Sequence, residues 1–159
     1  MLWVMARSQT PSSPGGGARL VGPDALNDLL WRVTAYAHLM GEAALADTPL
    51  TVASSSMLIS VLEEPGMTVA EISRRIPKAQ QTISQVVARL EKLGFIERRL
   101  GSGRGVGLYV TDAGREMAQV AVGRERELTA RLRELLGEER STALTALLSE
   151  SHAILREAR

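Results

Sequence analysis

The residues best suited to chemistry are polar side chains that recur at helical spacing after Gln80. A helix predicted there places Ile83, Val87 and Leu90 on one face. Its opposite face has no carboxylate in the first turns and carries Gln81, Ser84, Gln85, Ala88 and Lys92. Gln pairs with adenine edges and Ser donates or accepts, so this face could read bases in a DNA major groove. Any surface helix has a polar face, but the scarcity of acid favours a phosphate-bearing partner.

A second chemical feature follows this helix as a basic hairpin with a glycine-rich tip. Arg98 and Arg99 leave the first predicted strand, and Arg104 lies in the loop GSGRGVG. A guanidinium on a narrow hairpin suits the minor groove, where negative potential is concentrated. The alternative is a surface loop with one solvated arginine, which would be the better interpretation if no such helix preceded it.

Positive charge is concentrated in the region that contains this helix and hairpin. Residues 68–111 contain eight of the 19 basic residues but only three of the 18 acidic ones, in a chain of net charge +1. Such a local excess of positive charge is typical of a surface that binds phosphate. The residues predicted to contact DNA are Lys78, Gln80, Gln81, Ser84, Gln85, Ala88, Arg89, Lys92, Arg98, Arg99 and Arg104.

Hydrophobic periodicity and end signals predict the elements that must position these side chains. The predicted helices span 24–46, 51–63, 68–76, 80–93, 112–136 and a last stretch after Gly137, with strands at 95–100 and 107–110. Thr68 and Glu71 have capping-box spacing, Gly94 suits a helix C-terminus, and Thr111 or Asp112 can cap the fifth helix. The predicted fold is mainly α with a small β-hairpin wing, a winged helix-turn-helix with added long helices.

Several other kinds of site are excluded by composition and spacing. The chain has no cysteine, and its two histidines, His38 and His152, lack metal-ligand spacing. Ser54-Ser55-Ser56 has no Gly-x-Ser-x-Gly context, and GSGRGVG lacks the Lys-Ser/Thr of a P-loop. We therefore predict no enzyme and no cofactor. Neither a signal peptide nor a membrane-spanning run is recognised, and we expect a cytoplasmic protein.

The order of these elements, the stretch RLEKLGFIERR and the later LYVTDAG resemble the MarR (multiple-antibiotic-resistance regulator) family of bacterial transcription factors. The resemblance runs from about Asp24 to the C-terminus. Arg104 stands seven residues before Thr111, which matches the family's wing arginine, whereas Ser102 and Ala79 replace the usual Asp and Ser. The resemblance implies a repressor that binds double-stranded DNA as a homodimer.

Domain organisation follows from the apolar surplus of the terminal helices, which a winged helix alone would not need. We predict a flexible tail over 1–22 and a single domain over 23–159. Within it, 68–111 is the winged helix-turn-helix, and 23–46 and 112–158 are dimerisation helices. The predicted dimer interface includes Leu128, Leu132, Leu144, Leu147, Leu148 and Leu155. A two-fold dimer would place two recognition helices about one DNA turn apart on a palindromic operator.

A ligand pocket is a further possibility that the resemblance implies, because small aromatic effectors bind in that family. The candidate lining residues are Trp31, Tyr36, His38, Met40 and Met57, for which ordinary core or interface packing is the competing interpretation. The alternative functions are a winged-helix module that binds other proteins, and a ligand sensor without specific DNA binding of its own.

Overall fold

A computed structural model of the chain describes residues 25–75, 80–100 and 105–158, and within them the predicted fold class is confirmed. The elements in order are α1 (Leu26–Ala44), α2 (Val52–Glu63), α3 (Val69–Arg75), α4 (Gln80–Lys92), β1 (Ile96–Leu100), β2 (Val106–Val110), α5 (Asp112–Leu136) and α6 (Glu138–Glu157). None of these helices is both long enough and apolar enough to cross a bilayer. Asp24, at the start of the first predicted helix, lies outside the described residues.

Residues up to Tyr36 and residues from Ala37 onward form two compact units, and α1 contributes to both. In the described part of the first unit, Arg32 pairs with Asp28 one turn earlier, at 3.5 Å. The large apolar side chains of this half-helix are exposed, namely Leu26, Leu29, Leu30, Trp31, Val33 and Tyr36.

The core of the second unit is built from α2, α3, α4, β2 and the start of α5. Its most buried side chains are Leu58, Val61, Ile72, Ile83, Val87, Leu90, Leu108, Ala118 and Ala121. Each fully buried Leu, Ile or Val contributes roughly 1.5–3 kcal/mol relative to an exposed side chain. The inward face predicted for α4 is therefore confirmed at Ile83, Val87 and Leu90, and this packing fixes which face of α4 points outward.

The predicted capping box of α3 is present. The Thr68 amide donates to Glu71 Oε2 at 2.7 Å, and the Glu71 amide donates back to Thr68 Oγ1 at 3.2 Å. These hydrogen bonds from the Thr68 backbone and hydroxyl stabilise the carboxylate and hold the pKa of Glu71 below its ordinary value. A second capping box, between Thr51 and Ser54, starts α2 and was not predicted.

The wing is an antiparallel hairpin in which Ile96 pairs with Val110 and Leu100 pairs with Val106. The outer edge of β2 also bonds to the segment before α3, because the Leu108 amide donates to the Met67 carbonyl at 3.0 Å. Gly107 permits this close approach, since a Cβ there would lie 2.7 Å from the Gly66 carbonyl oxygen. The wing is thus held directly against the helix-turn-helix.

The stretch Thr111-Asp112-Ala113-Gly114 locks the start of α5 onto the end of α4. Of the two predicted caps, Thr111 is the one used: its Oγ1 accepts from the Gly114 amide at 3.0 Å and donates to the Gly94 carbonyl at 2.6 Å. Gly94 itself has a positive φ of 73°, as expected of a residue that ends a helix. The orientation of α5 is therefore set by the turn that terminates α4.

Candidate nucleic-acid interface

The outward face of α4 carries the polar side chains that the sequence singled out. Ser84 is half-buried, and the exposed members of the set are Gln80, Gln81, Gln85, Ala88, Arg89 and Lys92. On the opposite face Ile83, Val87 and Leu90 are at most 1% exposed. The apolar face therefore fixes the helix to the core, and the small or amide-bearing residues are left free to approach a groove.

Arg89 has a role that the sequence did not indicate. Its Nη2 donates to the Pro49 carbonyl at 3.0 Å, which joins α4 to the loop between α1 and α2. The remaining guanidinium donors are still available to a phosphate, because arginine has five N–H groups. Arg89 can therefore position α4 as well as contact DNA.

The wing is attached to α4 through a second arginine. Arg98 Nε donates to Glu91 Oε1 at 2.8 Å, with both side chains partly exposed. Arg99 bonds to Glu97 on the same strand and lies over the Tyr109 ring, 5.0 Å from its centroid. These two arginines are on the hairpin as predicted, but each is also bound to the protein's own carboxylates.

A third arginine links two helices of the helix-turn-helix. Arg75, at the end of α3, pairs with Glu64 at 2.5 Å, and this carboxylate raises the pKa of Arg75 above its ordinary value. The pairing joins α3 to the end of α2, which brings the two helices together across the Gly66 turn. As an exposed ion pair it contributes little to stability.

Four positions named in the sequence analysis, Lys78, Ala79, Ser102 and Arg104, lie outside the described residues. The DNA contacts assigned to Lys78 and Arg104 therefore stay predictions.

A cleft of about 150 Å³ lies beside α2 and α5 in the second unit. It is lined by Ala37, Gly41, Ala44, Leu45, Val52, Ser55, Ser56, Ala121, Arg124, Glu125 and Leu128. A cavity of that volume is large enough to hold one aromatic ring. Its one cation, Arg124, donates to Asp47 in the α1–α2 loop at 2.5 Å and to Glu127 at 3.3 Å.

None of the five predicted pocket residues lines this cleft. Trp31 and Tyr36 are exposed in the first unit, at 71% and 67%. Met57 belongs to the core, Met40 is half-buried, and the exposed His38 lies 3.7 Å from Glu42.

The residues that do shape the cleft gave a weaker signal in the sequence. Small residues at positions 37, 41 and 44 recur at helical spacing along α1, and they leave space where larger side chains would fill it.

The predicted interface leucines lie on α5 and α6. Leu128 and Leu132 are half-buried, whereas Leu147 and Leu155 are 62% and 69% exposed, and Leu144 and Leu148 lie at 36% and 47%. Several exposed leucines on neighbouring helices of a single chain are typical of a protein–protein contact.

An outward polar helix beside a basic hairpin, on a small helical core, defines a winged helix-turn-helix protein. A family model described as "MarR family" matches residues 48–105, from the loop before α2 to the wing. The chain is 31% identical over 109 residues to the HTH-type transcriptional repressor Rv2887 of Mycobacterium tuberculosis, covering 67% of this chain and 78% of that protein. The chain belongs to the MarR family of transcription regulators.

Solved structures agree with this assignment. The structure of Rv2887 in complex with salicylic acid has 28% identity and a TM-score of 0.65, covering 79% of this chain and 94% of that one. The structure of Streptococcus pneumoniae FabT in complex with DNA has 17% identity and a TM-score of 0.69, covering 84% and 97%, which shows the shared fold.

Proposed function

We propose that the protein is a sequence-specific repressor of transcription that binds a palindromic operator in double-stranded DNA as a homodimer. The observation that carries this proposal is the division of α4 into a buried apolar face and an outward face of glutamine, serine and alanine. The related protein Rv2887 is itself a transcriptional repressor, which supports repression rather than activation. A bacterial repressor acts in the cytoplasm, where we place this one. Selection of bound sequences from a random DNA pool tests the proposal.

In the proposed complex α4 lies in the major groove and the wing follows the backbone toward the minor groove. Gln81, Ser84 and Gln85 read base edges, and Ala88 allows the helix to approach closely. Phosphates are met by Lys78, Arg89, Lys92, Arg98, Arg99 and Arg104, and by Gln80 at the start of the helix. Phosphate contacts set the register, and the base contacts set the sequence.

Replacing Gln85 by Ala should weaken binding to the selected operator by about 1–3 kcal/mol and leave binding to random DNA nearly unchanged, because only a base contact is lost. Fluorescence anisotropy on the two duplexes measures both affinities. Gln119→Ala is a matched control, since it removes an exposed glutamine from α5. An equal loss on both duplexes would show that α4 does not read bases at this position.

The dimer is proposed because large apolar side chains of α5 and α6 are exposed among the residues that the structure describes. Two copies joined through these side chains would bury Leu147 and Leu155 together. Two-fold symmetry would then present two α4 helices about 34 Å apart, the spacing of successive turns on one side of the duplex.

The cleft beside α5 is the proposed effector site. Its small apolar lining suits an aromatic ring, and Arg124 at its edge suits a carboxylate. Salicylic acid is bound by the related Rv2887, which supports an aromatic acid as the class of ligand. A carboxylate on Arg124 would compete with Asp47, and Asp47 lies in the same loop as Pro49, to which Arg89 of α4 is bonded. The loop would thereby connect the cleft to the recognition helix.

Salicylate should raise the melting temperature of the wild type, because a ligand that binds only the folded state stabilises it by mass action. Arg124→Gln should remove most of this rise, since the carboxylate loses its cation. Arg131→Gln is the control, because it removes an exposed arginine from the same helix that pairs only with Glu134 among the described residues. A rise that is unchanged in Arg124→Gln would place the ligand elsewhere.

One observation favours a different function, a winged-helix module that binds another protein. Arg75, Arg98 and Arg99 each pair with a carboxylate of the chain itself, so the basic surface is weaker than the sequence indicated. A protein-binding module would show no steep salt dependence on DNA, whereas a repressor would. A ligand sensor without an operator would likewise show no steep salt dependence on DNA, and the salicylate melting-temperature measurement separates it from the protein-binding module.

A further inference from the structure

The wing carries an apolar pair that neither the core nor the proposed dimer explains. Leu100 is 89% exposed, the highest value among the large hydrophobic residues that the structure describes, and its strand partner Val106 is 40% exposed. Apart from Leu93 at the end of α4, the other exposed large hydrophobics lie on α1, α5 and α6. The Leu100–Val106 pair stands alone at the far end of the hairpin.

The register shows which way this pair faces. Alternate residues of a strand share a face, so Ile96, Arg98 and Leu100 point to the same side. Ile96 is buried in the core and Arg98 reaches Glu91 of α4, which identifies this as the side turned toward the recognition helix. Leu100 lies two residues beyond Arg98, about 7 Å further along the strand.

We propose that the Leu100–Val106 pair packs against the deoxyribose edges that line the DNA minor groove beside each half-site. This inference rests on the proposed operator binding and adds an apolar contact to its polar ones. Since the Arg98–Glu91 bond fixes the wing to α4, a helix seated in the major groove carries the hairpin end to the neighbouring minor groove. Apolar side chains, leucine among them, are used by proteins that enter that groove.

The charges beside the pair favour DNA over a second protein as the occupant. Arg98 and Arg99 immediately precede Leu100. Each guanidinium has five N–H groups, so donors beyond those bonded to Glu91 and Glu97 remain for phosphates near the sugar surface. The contact would add affinity without reading bases, because every nucleotide presents the same sugar.

Leu100→Ala should weaken binding to the selected operator about tenfold, which corresponds to about 1.4 kcal/mol of lost apolar burial. Leu100→Met is the matched variant and should retain the affinity, because methionine is also apolar and has a similar volume. Neither variant should change the melting temperature, since the leucine is almost fully exposed in the free protein. Anisotropy titrations at several salt concentrations measure the affinity and its salt dependence.

The slope of affinity against salt distinguishes this contact from a phosphate contact. It should be the same in Leu100→Ala as in the wild type, because no counterion is released by an apolar group. Unchanged affinity in Leu100→Ala would overturn the inference, as would an equal loss in Leu100→Met. A change in dimerisation without a change in operator affinity would assign the pair to a protein contact instead. In each case wild-type binding in the same titration still reports on the proposed function itself.

Discussion

Replacing Leu147 by Asp is expected to dissociate the dimer and abolish operator binding. Leu147 is 62% exposed in the single chain, so within one subunit the substitution costs little. In the proposed dimer it would bury an unpaired carboxylate in an apolar contact, at a cost of several kcal/mol. The subunit should lose stability with the dimer, because long helices that pack between copies are stabilised by that packing. Operator binding should be lost as well, since contact with one half-site alone provides little affinity.

Light scattering gives the mass of wild type and variant at micromolar concentration, and anisotropy gives operator binding. Ser149→Asp is the matched control, because it adds the same charge to α6 at an exposed polar position. The control should remain a dimer that binds the operator. The proposed architecture would be wrong if the wild type were a monomer that nonetheless bound a palindrome tightly, or if Leu147→Asp stayed dimeric.

Replacing Gly114 by Ala should destabilise the fold by about 3 kcal/mol, because the close packing leaves no room for a methyl group. A Cβ at this position would lie 1.9 Å from the Phe95 carbonyl oxygen and 2.7 Å from its carbonyl carbon. The obstacle is backbone, and that same oxygen accepts a hydrogen bond from the Thr111 amide at 3.0 Å. Neither partner can move without breaking the contact between the segment after α4 and the start of α5. The melting temperature should fall by roughly 6–12 °C.

Gly123→Ala is the control for this substitution. Gly123 lies in the middle of α5, where an added Cβ would meet nothing within 4 Å. Alanine there should stabilise the helix by up to about 1 kcal/mol, because it favours helix more than glycine does. Thermal unfolding of both variants measures the difference. Similar melting temperatures for the two would contradict the packing explanation of Gly114.

The sequence predicted the parts of the fold that depend on neighbouring residues. The capping box of Thr68 and Glu71 and the left-handed Gly94 are signals contained within a few positions, and both are confirmed. The division of α4 into an apolar and a polar face was likewise predictable, because Ile83, Val87 and Leu90 recur at the helical period of 3.6 residues. These features identify the outward face of α4 before any tertiary contact is known.

Contacts between residues that are far apart in the sequence could not be predicted in the same way. Arg89 was expected only at phosphate, yet it also bonds to a carbonyl 40 residues away, at Pro49. Arg124 was not singled out at all, because its meeting with Asp47 depends on how α5 packs beside the α1–α2 loop. Neither pairing leaves a pattern in local sequence.

The proposed effector cleft shows a related limit of prediction from sequence. Aromatic and sulfur-bearing residues such as Trp31 and Met57 were the natural candidates by type, but the cleft is bounded by alanines and Gly41. A pocket is defined by the space that small residues leave, and composition draws attention to large ones.

The central claim is that the protein binds a palindromic operator as a dimer. Selection of bound sequences from a random DNA pool, followed by a salt titration on the most enriched duplex, tests it most directly. We expect enrichment of a palindrome whose half-site centres are about 10 base pairs apart, because a two-fold dimer presents two α4 helices at that spacing. On that duplex the logarithm of the binding constant should fall with the logarithm of salt with a slope of roughly −4 to −8, as several phosphates are neutralised per dimer. A pool with no enriched sequence, together with a slope near zero on any DNA, would contradict the account.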